Sequence, residues 1–138
     1  MRKVLLPILA SFMFAATAPA FAAGSTCKPA QHATLPAISK LTYHKARKAL
    51  LSAGWQPLQT KSFKEAKADP DFEYGNGQQF WTKGYVEIES CAPTGLAPCA
   101  FLFKDEYGNR LRVTTAGEEY PEEKAYAQVT GAQFVCGR

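Results

Sequence analysis

Few residues in this chain could do chemistry, and they are scattered. Glu87 and Glu89 lie two apart in an alternating stretch. The alternation puts Tyr85, Glu87 and Glu89 on one strand face and Val86 and Ile88 on the other. Two carboxylates at that spacing can serve as the acid and base of sugar hydrolysis. They are also what keeps the outer face of a sheet in water, and for residues on an alternating strand that reading carries more weight. Arg110 and Arg112 alternate on a later stretch. They suit cross-strand pairs with Glu87 and Glu89, or anionic groups on a partner. His32 and His44 are the only histidines, and neither has an evident nucleophile to activate. Asp69, Asp71 and Glu73 alternate beside Pro70 but lack the closing carboxylate of a calcium loop. No catalytic residue, metal site or cofactor is expected.

The stretch richest in contact chemistry is aromatic. Phe72, Tyr74, Phe80, Trp81 and Tyr85 gather around Gly75 and Gly77. Phe72 and Phe80 are assigned to the core. Tyr74, Trp81 and Tyr85 are candidate binding residues for sugars or a protein, since aromatic rings on glycine-hinged loops make good contacts. Lys45 and Lys48, on the wet side of a neighbouring helix, support them.

The elements that must position these residues follow from period and punctuation. Thr42 is a good helix N-cap and Gly54 a good stop. Between them Tyr43, Ala46, Leu50 and Ala53 form a buried stripe, with Lys45 and Lys48 outside it. Residues 55–63 read as extended, with Pro57 fitting an edge or a strand start. Residues 64–70 read as a loop with at most one helical turn, and residues 72–77 as a turn. Strands are predicted over residues 85–91, 99–105, 110–115 and 132–136, and a short helix from Pro121 to Ala127. The pattern predicts an α+β fold: one main helix packed on an antiparallel sheet of about four strands, with the other face of the sheet wet.

Cys27, Cys91, Cys99 and Cys136 are the four cysteines, an even number that suits an exported chain. Cys91 and Cys99 flank a turn-rich loop between two strands. Cys27 and Cys136 would join the lead-in to the last strand. These two disulfides are expected, contributing about 2–3 and about 4–5 kcal/mol on a loop-entropy basis.

The first residues explain the compartment. Arg2 and Lys3 precede an apolar run from Val4 to Ala18, and Ala20-Phe21-Ala22 offers small residues where a signal peptidase reads. The run holds Pro7 and Ser11 and is too short to span a bilayer. Residues 1–22 are therefore expected to be a signal peptide and residues 23–138 a single small domain, periplasmic or secreted, with no membrane anchor after cleavage. Charge divides along the mature chain: residues 23–67 carry eight Lys or Arg against the lone Glu65, whereas residues 68–138 are acidic on balance. Either the halves pack together and cancel, or the basic one meets anionic envelope material. The modest net charge argues against nucleic acid.

The segment from Tyr43 to Trp55, Tyr43-His44-Lys45-Ala46-Arg47-Lys48-Ala49-Leu50-Leu51-Ser52-Ala53-Gly54-Trp55, resembles the helix of a PASTA module. Those are small extracytoplasmic domains linked to peptidoglycan or β-lactam recognition. Taken with Glu87-Ile88-Glu89-Ser90-Cys91, Pro98-Cys99-Ala100-Phe101 and Tyr107-Gly108-Asn109-Arg110-Leu111, it resembles small exported bacterial proteins of unknown function. That resemblance implies a fold and a compartment. The expected role is a non-catalytic binding, inhibitor or accessory module whose partner is an envelope protein or an anionic cell-wall glycan. The alternatives are a small periplasmic hydrolase using the sheet-face carboxylates and a purely structural secreted protein.

Overall fold

The structure, a computed structural model, describes residues 27–93 and 95–136. The expected signal peptide and its cleavage point lie outside the described residues. Helix α1 (Tyr43–Ser52) forms where the sequence places it. The Thr42 hydroxyl accepts from the Lys45 backbone N–H at 3.5 Å. Gly54 leaves the helix at φ 94°, a left-handed backbone that costs glycine little. Tyr43, Ala46 and Leu50 are buried, and Lys45 and Lys48 are exposed.

Among the described residues, five strands form one antiparallel sheet: β1 (Gln56–Pro57), β2 (Ile88–Cys91), β3 (Cys99–Lys104), β4 (Arg110–Ala116) and β5 (Gln128–Val135). β3, β4 and β5 lie side by side, and β1 and β2 share the outer edge of β3. The handover occurs at Leu102, whose N–H donates to the Glu87 carbonyl at 2.8 Å and whose carbonyl accepts from the Leu58 N–H at 2.9 Å. The extended segment over 55–63 thus yields a two-residue edge strand holding Pro57, where a missing donor is tolerated. Phe101, Phe103, Leu111 and Val113 are fully buried, while Arg112 and Thr114 alternate with them on the wetter face. Tyr43 of α1 stacks on Phe101 with ring centroids 3.6 Å apart. Burial of each such large side chain contributes about 1.5–3 kcal/mol.

Two more helices stand where loop and turn were expected. α2 (Phe63–Ala68) is closed by a capping box in which Ser62 and Glu65 satisfy each other's backbone N–H groups. α3 (Gly75–Thr82) contains the glycines that read as a turn. Gly77 is there for packing: a Cβ at that position would fall 1.8 Å from the Asp71 carbonyl oxygen. Phe80, on the same helix, is fully buried, and Phe72 nearly so, as assigned. The helix expected from Pro121 shrinks to a 3₁₀ turn over Pro121–Glu123, and the last strand starts earlier than expected, at Gln128.

The alternation read over 85–91 also needs correcting. Pairing with β3 begins only at Ile88, and a bulge follows between Ile88 and Ser90. Glu87 is consequently fully buried and Glu89 half-buried, so the two carboxylates do not share a wet face. Both expected disulfides are present, Cys27–Cys136 and Cys91–Cys99. Among the described residues, no helix is long and apolar enough to cross a membrane.

Candidate functional site: an aromatic groove and a buried polar network

Two polar constructions meet at α3. The first lies inside. Glu119 is fully buried, and its carboxylate accepts from the Ala127 N–H at 3.0 Å and pairs with His44 Nε2. His44 Nδ1 lies 2.8 Å from the Tyr85 hydroxyl. Glu87, also fully buried, takes the Arg47 Nε at 2.6 Å and the Tyr43 hydroxyl at 2.8 Å. The Arg47 guanidinium lies over the Tyr85 ring, 4.4 Å from its centroid. Two residues on successive turns of α1 thus each hold a buried acid from another segment.

A carboxylate, an imidazole and a hydroxyl in series have the composition of a nucleophile relay. The same groups also tie α1 to a buried acid. Burial pushes the Tyr85 phenol above its ordinary value, and the Arg47 charge offsets only part of the rise. Burial raises the Tyr43 phenol further, with Glu87 adding to it. Both hydroxyls are held protonated, as donors suited to fastening α1 in place. Glu89 sits apart, held by Arg112 through two hydrogen bonds of 2.7 Å. This is the cross-strand pairing expected of Arg112; Glu87 takes Arg47 instead of Arg110.

The second construction opens outward. A groove of about 360 Å³ runs between the start of α3, the loop after β2 and the segment after β4. Its buried parts are Asn76, Gly77, Cys91 and Ala97. Asn76 ties them together: its Nδ2 donates to the Ala97 carbonyl at 3.1 Å and to the Gly117 carbonyl at 2.8 Å. Its Oδ1 accepts from the Glu119 N–H at 2.8 Å. The Gly117 N–H reaches the Leu96 carbonyl at 2.7 Å. Tyr74 and Tyr120 line the groove while 70% and 44% exposed. The Tyr74 hydroxyl donates to Glu73 at 2.8 Å, a bond that holds the phenol above its ordinary value. Asp71 and Glu118 also line the groove, and neither carboxylate has an ion pair or a hydrogen bond among the described residues.

The five residues singled out as binding residues go to three places. Tyr74 stands in the groove. Trp81 is half-buried in an aromatic ladder, stacked on Phe72 at 5.6 Å and edge-on to the exposed Phe63 at 5.5 Å. Tyr85 belongs to the inner network. Lys45 and Lys48 stay on the outer face of α1, and the structure brings neither to the aromatics by any ion pair or ring contact among the described residues. The sequence reading missed Asn76, Leu96, Glu118, Glu119 and Tyr120. The only signal was an acidic pair and a tyrosine just before Pro121. Among the described residues, no group of His, Cys, Asp and Glu is placed to hold a metal ion. No family model, curated protein or solved structure matches this chain.

Proposed function

We propose that this is an exported, non-catalytic binding module of the cell envelope and that the groove at the start of α3 is its contact surface. The carrying observation is a groove fixed before any partner arrives. Asn76, the Cys91–Cys99 disulfide and the close approach of Gly77 to Asp71 set its walls, while Tyr74 and Tyr120 remain exposed above them. A pre-set surface loses little conformational freedom on binding, so more of its contact energy appears as affinity. Export rests on the leader-like residues 1–22 and on two disulfides, bonds that persist in oxidising compartments. The hydrolase alternative gains no support from Glu87 and Glu89, because each is bound to an arginine and Glu87 is out of reach of solvent.

The test is site-specific photo-crosslinking in the exporting cell. A photo-reactive residue at Tyr74 or Tyr120 is expected to give a discrete adduct, and one at Thr130 on the outer sheet none. Adducts from Thr130 alone, or equally from all three positions, would overturn the assignment of the surface.

A further inference from the structure

The groove has a chemical preference, and the inference drawn from it rests on the binding reading above. We propose that it receives a lysine or arginine side chain carried on an exposed segment of a partner protein. The first argument is charge. Asp71 and Glu118 line the groove and no Lys or Arg does. Glu73 and, on the turn after Tyr120, Glu122 and Glu123 are exposed and extend the negative field. Lys124, on the same turn, is exposed but does not line the groove.

The second argument is the contrast with acids elsewhere in the fold. Glu87, Glu89, Glu119 and Asp69 each have a basic side chain from the same chain, and Asp105 takes four hydrogen bonds from Ala33, Tyr107 and Asn109. Asp71 and Glu118 have neither; Glu106, Glu122 and Glu123 also lack partners among the described residues, but of these unpartnered acids only Asp71 and Glu118 line the groove. The third argument is aromatic. Tyr74 and Tyr120 offer ring faces to a cation and apolar surface to the methylene stem that carries it. A volume of about 360 Å³ is at the small end of ligand sites and fits a side chain rather than a domain.

A free polyamine would satisfy the same carboxylates. The neighbouring Leu96 decides for a protein. It is 75% exposed, and its carbonyl is tied to Gly117 beside the groove. A thin polycation leaves that side chain in water, whereas a polypeptide segment seated in the groove covers it.

The experiment is an amide NMR titration of the mature, disulfide-bonded protein with three probes. These are a short capped peptide containing two arginines and a leucine, the same peptide with glutamates for the arginines, and spermine. The arginine peptide is expected to shift the amides of Asn76, Gly77, Gly117 and Glu118, with affinity falling at least about tenfold from low to high salt. The double variant D71N/E118Q is expected to weaken it about tenfold with an unchanged thermal melt, since both side chains lack partners. Equal binding of the glutamate peptide at the same amides overturns the cation inference and leaves the groove as a binding surface. Spermine binding as tightly as the arginine peptide overturns the choice of a protein. If the arginine peptide shifts no groove amide at millimolar concentration, the inference fails. The crosslinking experiment then decides alone whether the groove binds anything.

Discussion

Glu118 and Glu119 are neighbours in the chain and opposites in circumstance. Glu119 is fully buried, with His44 and the Ala127 N–H as partners; Glu118 is exposed at the groove with none. The same contrast separates the inner network from the groove as a whole. Inside, carboxylates are acceptable because imidazole, guanidinium, phenol and backbone donors meet them, and an unmet charge there would cost several kcal/mol. Outside, carboxylates have been left without partners at a place where the backbone is firmly held. Binding surfaces are expected to show that asymmetry: a rigid frame, and charges not consumed by the frame.

The contrast can be broken by mutation. Glu119→Ala leaves His44 and the Ala127 N–H without their acceptor and opens a void, so a loss of about 3 kcal/mol is expected. A calorimetric melt should show a fall in Tm of more than about 10 °C. Glu118→Ala in the same assay should change stability by less than about 0.5 kcal/mol. Similar losses from the two variants would erase the distinction.

Gly77→Ala tests whether the groove is as firmly built as the network. The new methyl would meet the Asp71 carbonyl oxygen at 1.8 Å, so helix α3 and the turn before it must part. A cost of about 2 kcal/mol is expected, together with faster amide exchange at Asn76 and Gly117. A neutral substitution would mean that the walls are pliable. Thr115 sharpens the comparison from the other side. Its hydroxyl is the one buried side-chain polar atom among the described residues that lacks a partner. Thr115→Val should therefore raise stability, by about 1 kcal/mol in a denaturant titration. A loss of that size would show that the hydroxyl has an unrecognised role.

What could be read from sequence follows the same division. Helix α1 and strand β4 were legible because each buries one face, and a one-sided burial writes its period into the residue order; β3, with Phe101, Leu102 and Phe103 all buried, reads as a short apolar run between turns. The disulfides were legible because the four cysteines are an even set and two of them flank a turn-rich loop between strands. Glu87 was misplaced because a strand pattern assumes continuous pairing, and the bulge and late start of β2 break it. Helix α3 was missed because Gly75 and Gly77 signal a turn wherever a close backbone approach is not foreseen. The groove left almost no trace. Its frame depends on Asn76 reaching Ala97 and Gly117, contacts between distant segments, and nothing in an adjacent pair of glutamates tells which one turns inward.

The bond between Cys27 and Cys136 has a mechanical consequence. The two residues are 109 apart in sequence, so nearly all of the folded chain is a side loop off the line that joins them. Traction applied to the chain on either side of that pair passes through a single covalent link. The sheet carries none of it, and a machine that threads polypeptide from one end meets a closed ring instead of a strand to peel. Once the bond is reduced, the load falls in turn on the Gln31 contact with Asn109, the Ala33 contact with Asp105, and then the Lys40 and Leu41 contacts with Val129, where the lead-in is held to β5 by hydrogen bonds of 3.0 and 2.9 Å. Those bonds would open one after the other, and the edge of the sheet with them.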